Sequence, residues 1–344
     1  MVELKAIVNA VALALVVLAI IAQQALSQVV IEEGLNIVVT FTYLGFDVEQ
    51  LVCIGDRVIA LVPSGVDPHE YQLTPSDVDV LRNADLIIST AHAPFELKIR
   101  ELVNSGDVSS SLIEAPYIDG VKTLVNPSTG SLNLHAVTYD PHNYAVFLTK
   151  LAEEMSIHRP SCRDVYYSKL SQVLVKLVEL TSSVRKVSGL AIGESPLTQY
   201  AVEWLGIEVK SFALIEHELM APPSVLKEIE DSVKRGVVDY ILVIEGSSSV
   251  AHSYLLELAE KYNRTVLRIP SPLAEGSTLS KLAKVVEQVN EVSRLAESCS
   301  IALQQPEELY ELRDVVAVVL VTAVATAAAV LTADRYLVRR VGRK

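Results

Sequence analysis

Few cysteines, few glycines and few basic residues limit what this chain can be. The 344 residues include three cysteines, none of them in a Cys-x-x-Cys pair, so a cysteine-based metal site is not expected. Only 14 glycines occur, and there is no phosphate-cradling glycine loop, no His-Glu-x-x-His and no Gly-x-Ser-x-Gly motif. The familiar signatures of nucleotide-binding enzymes, zinc hydrolases and serine hydrolases are therefore absent.

Acidic residues outnumber basic ones, 42 to 29, which gives a formal net charge of -13. Five of the 29 basic residues lie within the last ten positions, as Arg335, Arg339, Arg340, Arg343 and Lys344. The middle of the chain is consequently more acidic than the total suggests, and an acidic body repels the phosphates of nucleic acid. We expect a cation, and no nucleic acid, as its partner.

An apolar run at residues 6–22 follows Lys5 and precedes the small-residue sequence Ala-Leu-Ser at 25–27. This pattern predicts a signal peptide over residues 1–27. An uncleaved N-terminal anchor is the alternative, because the run is close to the length that spans a bilayer. Both interpretations place the body outside the cytoplasm. The first cysteine is Cys53, so none is placed for an acyl-lipid anchor at the cleavage point.

A second apolar run, Val315 to Ala333, has 19 residues and no charge. It predicts a transmembrane anchor over residues 313–334, since about this length crosses the hydrocarbon core. Acidic residues precede the run and the basic tail 335–344 follows it, which places the C-terminus in the cytoplasm. A buried helix of the globular body is the alternative, but the run shows no polar stripe.

The three cysteines are Cys53, Cys162 and Cys299. In an exported protein one pair can form a disulfide, and the odd number leaves at least one thiol. The sequence leaves the pairing open.

Short apolar runs rich in β-branched residues alternate with helical patterns over most of the chain. Before residue 116 these runs are NIVVTF, RVIALV, DLIIST and SSLIEA, and after residue 188 they are GLAIGE, KSFALI, DYILVIEG and TVLRIP. Such alternation predicts β-α-β units with parallel strands. Between the two series, 26 residues after Pro160 have apolar positions at helical spacing and no Gly or Pro, enough for about 39 Å of helix.

We therefore predict an α/β fold with two lobes, each a parallel sheet flanked by helices. The lobes cover residues 28–159 and 188–312, and one long connecting helix covers 160–187. Ligands of such sheets bind at the carboxyl ends of the strands, so the cleft between the lobes is the expected ligand site.

The most informative segment is GVDPHEYQLTPSD, residues 65–77, which follows the run RVIALVP. Its histidine, His69, stands after a strand and before a helix that Thr74 and the following Pro-Ser-Asp predict to begin there. That location is a loop at the carboxyl edge of the sheet, where a neutral imidazole can bind a metal.

The whole stretch from residue 36 to residue 89, with this segment inside it, closely resembles the zinc- and manganese-specific solute-binding proteins of ABC importers. The resemblance implies that His69 is the first metal ligand. It also implies a second histidine in an Asp-Pro-His segment, which matches His142. The same three residues also predict a helix start, with Asp140 as the N-cap and Pro141 at the first helical position.

The resemblance implies a third ligand, His or Glu, after the first strand of the second lobe. Glu194 is our assignment, by a one-residue insertion, whereas an ungapped count back from Gly206 reaches Ser195. A capping carboxylate for the following helix is the alternative role of Glu194.

The fourth ligand implied by the resemblance is an aspartate, and Ser271 stands in its place. A neutral hydroxyl is a poor ligand for zinc or manganese. The fourth position is then open to water or is filled by Glu245, Glu275 or His217. We interpret His92 and His135 as residues at the rim of the cleft, and nothing indicates a role for His158 or His252.

These residues imply a binding protein that captures zinc or manganese and delivers it to the permease of an ABC importer. Its body is outside the cytoplasm and the C-terminal helix holds it to the membrane. Two imidazoles suit zinc and a glutamate favours manganese, so the metal stays open. The alternatives are a protein of the same fold with a changed ligand or a sensory or adhesive role, and a metal-dependent hydrolase that uses the open position.

Overall fold

The computed structural model describes residues 13–15, 17–18, 33–63, 70–185, 187–216 and 219–304, with backbone only for residue 216 and for 296–304. The predicted anchor 313–334, the tail 335–344, most of the 1–27 segment, His69 and His217 lie outside these residues. Within the described ranges no helix has both the length and the apolar character needed to cross a bilayer.

The first lobe is built on four parallel strands joined by helices. Its elements in chain order are β1 (Asn36–Phe41), α1 (Thr42–Val48), β2 (Arg57–Val62), α2 (Pro75–Arg82), β3 (Leu86–Ser89), α3 (Pro94–Ser105) and β4 (Ser111–Glu114). The sheet order is β2-β1-β3-β4, and every neighbouring pair is parallel. The two central strands, β1 and β3, are almost fully buried because their apolar runs form the core of this lobe.

A hairpin and two helices follow this sheet. The hairpin strands are β5 (Leu124–Val125) and β6 (Leu132–Asn133), and the helices are α4 (Pro141–His158) and α5 (Arg163–Ser182). The helix α5 is shorter than the segment 160–187 predicted for the connector. Pro160–Cys162 forms a 3-10 turn ahead of it, and the helix ends at Ser182.

The second lobe repeats the arrangement. It contains β7 (Gly189–Gly193), α6 (Gln199–Glu203), β8 (Ile207–Phe212), β9 (Leu214–Glu216), β10 (Leu219–Met220), α7 (Pro223–Lys234), β11 (Tyr240–Ile244), α8 (Val250–Lys261), β12 (Thr265–Ile269) and α9 (Thr278–Gln304). The parallel sheet has the order β12-β11-β7-β8, and β9 pairs with β10 in a short antiparallel ribbon. The predicted α/β fold with two parallel sheets is confirmed.

Both sheets belong to one compact unit that extends to Val286. A second unit begins at Glu287, and its described part is the helix that continues to Gln304.

Hydrogen bonds join the two lobes within the first unit. The Tyr139 hydroxyl donates to the Pro270 carbonyl at 2.9 Å. The fully buried carboxylate of Asp47, in α1, accepts from the backbone nitrogen and the hydroxyl of Thr278, at 2.8 and 2.7 Å. A carboxylate of the first lobe thus caps the N-terminus of α9.

A disulfide links Cys53 with Cys162, 109 residues apart. It joins the loop after α1 to the turn between α4 and α5. Beside it, the Asp56 carboxylate accepts from Arg159 Nη1 at 2.8 Å and from the Tyr166 hydroxyl at 2.9 Å. The sequence does not determine which cysteines pair, and the structure shows that Cys53 pairs with Cys162.

Candidate metal centre

A cleft of about 170 Å³ lies between the carboxyl ends of the two sheets. The first lobe contributes residues that follow or end β1, β3 and β6, and the second lobe contributes residues that follow β7 and β12. Its lining includes Phe41, Tyr43, His92, His135, Ser195 and Leu273. An apolar lining with a few convergent polar groups is typical of a small-ligand site.

Two imidazoles meet in this cleft. The ring centroids of His92 and His135 are 3.9 Å apart, with an angle of 61° between the ring planes, and both residues are half-buried. The two rings pack edge to face in the cleft, and imidazole nitrogen is a common zinc ligand. The structure thus places both histidines, which the sequence predicts at the rim of the cleft, among its lining residues.

The turn that carries His92 is shaped by the buried carboxylate of Glu96. Its oxygens accept from the backbone nitrogens of Thr90, His92 and Ala93, at 2.7, 2.9 and 3.0 Å. Two hydroxyl groups of the same turn donate to it as well. Ala91 has φ of +57°, which is uncommon for a non-glycine residue. We infer that the hydrogen bonds to Glu96 offset the cost of this backbone conformation.

His135 is oriented by the buried side chain of Asn133. The Oδ1 atom of Asn133 lies 3.0 Å from His135 Nδ1 and also accepts from the His135 backbone nitrogen at 3.0 Å. Asn133 is 1% exposed, so this contact is shielded from solvent.

Other contacts determine which way the Asn133 amide points. Its nitrogen donates to the Pro196 carbonyl at 2.9 Å and to Gln199 Oε1 at 2.8 Å. The Gln199 amide is fixed in turn, because its own nitrogen donates to the Val125 carbonyl at 3.0 Å. The atom of Asn133 facing His135 is therefore an acceptor, and His135 carries its proton on Nδ1. In this tautomer Nε2 is the ring nitrogen that carries no proton.

The second lobe contributes Ser195 to the cleft. The residue is 4% exposed, and its Oγ has no hydrogen-bond partner among the described residues. A buried hydroxyl without a partner loses the hydrogen bonds that it made in water. It is an open oxygen donor facing the same space as the two imidazoles.

The sequence profile of the family described as "Zinc-uptake complex component A periplasmic" matches residues 37–291, which is most of the chain and includes both lobes. The chain belongs to this periplasmic zinc-uptake family. The resemblance found in residues 36–89 is thereby confirmed.

Individual curated proteins are also similar to this chain. The manganese-binding lipoprotein MntA of Halalkalibacterium halodurans is 29% identical over 148 residues, which are 43% of this chain and 48% of the relative. The chain spans about half the length of the curated relatives it matches.

Solved structures share the fold. The SBP FpvC of Pseudomonas aeruginosa, in complex with Mn²⁺, has a TM-score of 0.62 at 18% identity over 76% of this chain and 100% of its own. A mutant of the laminin-binding adhesin Lmb of Streptococcus agalactiae has a TM-score of 0.61 at 21% identity over 74% of this chain and 97% of its own.

The structure does not bring His142 to the cleft. His142 is exposed at the start of α4, and its Nε2 lies 3.1 Å from the Gly120 carbonyl. It lines a separate groove on the first lobe, beside β4 and α4. Asp140 accepts from the backbone nitrogens of His142 and Asn143, at 2.8 and 3.0 Å, which is the helix-capping alternative for this Asp-Pro-His segment.

Glu194 is fully buried but points into the second lobe. Its carboxylate accepts from the backbone nitrogen of Ile244 at 2.8 Å, from the hydroxyls of Ser247 and Ser249, and lies 2.9 Å from His252 Nδ1. Four donors occupy its two oxygens. Glu194 stabilises the loop after β11 and the start of α8, and the adjacent Ser195 faces the cleft.

The candidates for the fourth position are dispersed. Ser271 is half-buried, and its Oγ accepts from the Leu273 backbone nitrogen at 3.3 Å. Glu245 and Glu275 are exposed. Across the described ranges no three His, Cys, Asp or Glu side chains converge as a metal cluster. His69 and His217 are not part of those ranges.

Two signals could have identified the cleft histidines from the sequence. His92 follows the strand LIIS by three residues, at the carboxyl edge where ligands of such sheets bind. His135 follows Asn133 by two residues, close enough for the asparagine to orient the imidazole.

Proposed function

We propose that this protein is an extracytoplasmic solute-binding protein that captures a divalent transition metal, zinc or manganese, and delivers it to the permease of an ABC importer. The observation that carries the proposal is the His92–His135 pair in the cleft between the lobes of a zinc-uptake family member. Imidazole nitrogen is the donor that zinc and its neighbours in the first transition row bind well.

His135 is the primary ligand of this proposal. Its Nδ1–H donates to Asn133 Oδ1, and a hydrogen bond of this kind orients a ligand ring and raises its basicity. Its Nε2 therefore binds the ion.

His69 supplies a further imidazole in the proposed site. The motif supports this, and so do the described residues on either side of segment 64–69. Val62, at the end of β2, pairs in register with Phe41, which lines the cleft. The Tyr71 ring packs against Phe95, with ring centroids 5.1 Å apart, and Phe95 packs against Phe41 at 5.6 Å. Both flanks of the segment thus lie beside the cleft.

The lining explains how such a site holds its cargo. Phe41, Leu197 and Leu273 form the apolar part of the lining, so an ion that binds there exchanges some of its water ligands for protein donors. Neutral imidazoles make that exchange favourable, because they cost less to desolvate than charged groups.

A membrane tether completes the proposal. The uncharged run 315–333 and the basic tail behind it support a C-terminal anchor with the body outside. The disulfide Cys53–Cys162 supports the same location, since such bonds persist mainly in oxidising compartments.

Calorimetric titration of the full chain, purified in detergent and stripped of metal with a chelator that is then removed, tests the function. We expect saturable binding of zinc or manganese at one ion per chain, weakened at least tenfold by His135→Ala. The matched control is His158→Ala, an exposed histidine whose Nε2 lies 2.9 Å from the Ser111 hydroxyl. A folded wild-type chain that binds neither metal would refute the proposal.

A further inference from the structure

The strand β4 lies at the end of the first sheet, whose order is β2-β1-β3-β4. Among the strands that the structure describes, β3 is the one that pairs with it. The Ser111 backbone nitrogen donates to the Asp85 carbonyl at 3.2 Å, so the peptide groups of Ser111 face β3. Because these groups alternate sides along a strand, the N–H and C=O of Leu112 point away from the sheet.

The space beside this edge is a groove of about 980 Å³ between β4 and α4, the β4–α4 groove. All four residues of β4 line it, Ser111 to Glu114. Since alternate side chains of a strand point to opposite faces, a groove that touches all four lies along the strand edge. The opposite wall is one face of α4, with residues at helical spacing: His142, Val146, Thr149 and Glu153. That face is about 17 Å long, which matches about five residues of extended chain.

Two contacts fix the spacing of the walls. At one end, His158 Nε2 lies 2.9 Å from the Ser111 hydroxyl, which joins the last residue of α4 to the first residue of β4. At the other end, His142 Nε2 lies 3.1 Å from the Gly120 carbonyl, which joins the start of α4 to the loop after β4. The groove is therefore pre-formed, and a ligand that enters it does not have to order its walls.

The lining combines an apolar floor with carboxylates. Ile113 is 4% exposed, and Ile118 and Val146 are half-buried. The carboxylates of the lining are Glu114, Asp119, Glu153 and Glu154.

Two basic groups offset part of this negative charge. Lys150 Nζ lies 3.1 Å from Glu153 Oε2 and 2.8 Å from Glu154 Oε1, and Arg100, beside the groove, pairs with Glu114 at 2.7 Å. Four carboxylates and two basic groups give these six residues a formal charge of -2. A ligand of this groove is therefore expected to carry apolar and basic groups.

We propose that the β4–α4 groove binds an extended segment of a partner protein in which apolar and basic residues alternate, and that this segment joins the first sheet as a strand beside β4. Addition of a strand to an exposed sheet edge is a recurrent mode of peptide recognition. The backbone of the segment pairs with the outward N–H and C=O of Leu112. Its apolar side chains lie on Ile113 and Val146, and its basic side chains meet the carboxylates. This interaction is separate from metal capture in the cleft.

Two fluorescent synthetic octapeptides test the ligand chemistry on the full chain in neutral detergent. One alternates valine with lysine, and the other alternates valine with glutamate. Fluorescence anisotropy should show saturable binding of the valine-lysine peptide, at least about tenfold tighter than that of the valine-glutamate peptide. Absence of binding by the valine-lysine peptide, or equal binding of both, overturns the proposal.

Charge reversal locates the peptide on the surface. Asp119→Lys combined with Glu153→Lys reverses two exposed carboxylates of the groove and should weaken binding of the valine-lysine peptide by roughly tenfold. Glu257→Lys combined with Glu260→Lys, at exposed positions of α8, changes the net charge equally and should leave the affinity within about twofold. Equal losses in the two variants would mean that the acidic body as a whole attracts the peptide, and the groove would be refuted.

Backbone methylation tests the addition of a strand. Alternate amides of an added strand face β4, so methylation of either the valine or the lysine amide nitrogens should cost at least about tenfold in affinity, and methylation of the other set much less. Equal effects of the two methylations overturn strand addition.

Leu112→Pro tests the same point on the protein, because it removes the outward N–H while the ladder to β3 stays intact, and an edge strand tolerates proline at such a position. In a chain with the wild-type melting temperature it should weaken peptide binding by roughly tenfold. Unchanged peptide affinity would contradict the proposal. Self-association of the wild type that Leu112→Pro abolishes, without any peptide binding, would assign the edge to a second copy of the chain and would equally overturn it.

Discussion

The Asn133 side chain accepts a hydrogen bond from Nδ1 of His135 with its oxygen and donates to the second lobe with its nitrogen. One buried amide thus fixes the proton position on a cleft histidine and joins the two lobes. The tautomer of His135 therefore depends on the hydrogen bonds that the Asn133 amide nitrogen makes to the second lobe.

Asn133→Ala should weaken metal binding by roughly tenfold to a hundredfold, because the ring loses the acceptor that orients it and fixes its tautomer. Titration calorimetry of the full chain measures the change. The control is Gln199→Ala, which removes one lobe contact of Asn133 and leaves its contact with His135 in place. Equal losses of affinity in the two variants would show that the lobe contact, and not the orientation of His135, matters.

Glu96→Ala should destabilise the fold by roughly 3 kcal/mol or more, because buried backbone nitrogens of the turn Thr90–Ala93 lose their acceptor. Denaturant unfolding measures the free energy. Glu101→Ala, which removes an exposed carboxylate paired with Lys98 on the same helix, should change it by less than about 1 kcal/mol. A turn that tolerates Glu96→Ala as well as Glu101→Ala would contradict the role assigned to Glu96.

His142→Ala should leave the affinity for zinc within about twofold of the wild type, since His142 is exposed and lines a separate groove. The resemblance alone predicts a large loss for this substitution. Calorimetry of His142→Ala beside His135→Ala distinguishes the two assignments. A loss in His142→Ala comparable to that in His135→Ala would favour the motif over the geometry.

The free energy of unfolding should decrease as the pH rises from 4 to 6, because the buried carboxyl of Asp47 loses its proton over this range. Burial raises the pKa of this carboxyl from 3.8 to about 6, although hydrogen bonds from Thr278 and Tyr144 and the charge of Lys281 oppose the rise. The folded state therefore binds the proton more tightly than the unfolded state. The stabilisation from protonation is complete below pH 4 and is lost as the pH rises through about 6.

The difference in unfolding free energy between the wild type and Asp47→Asn isolates this effect, because other groups titrate in both proteins. We expect the difference to change by on the order of 2–3 kcal/mol between pH 4 and pH 7. Asp79→Asn, which changes an exposed carboxyl in α2, is the control. A flat difference for Asp47→Asn would mean that its pKa is the same in both states.

The fold was predictable from the sequence because its signals are local and repeated. The runs at β1, β3, β7 and β11 are mostly apolar, as expected of strands inside parallel sheets. The segment 160–187 is not helical throughout, since Pro160–Cys162 forms a 3-10 turn and the following helix ends at Ser182.

The site was predictable only in part, because ligand assignment depends on the register of single residues. Glu194 and Ser195 are adjacent after β7, and neighbouring residues of extended chain point to opposite sides. The Glu194 side chain lies inside the second lobe and Ser195 lines the cleft, so an alignment shifted by one residue exchanges their assignments. For His142, the sequence Asp-Pro-His fits both a helix N-cap and the family's metal-binding motif, and the sequence alone does not distinguish between these two roles. Disulfide pairing is likewise beyond what sequence spacing determines.

The disulfide has a topological consequence for the cleft. Along the chain, His92 and His135 both lie between Cys53 and Cys162, inside a covalently closed loop. A single cut of the backbone within that loop creates two new chain ends, but the disulfide still joins the two segments. Both histidines therefore remain in one molecule. After one such cut the first lobe persists as two disulfide-linked segments, which separate only when a second cut or a reductant follows.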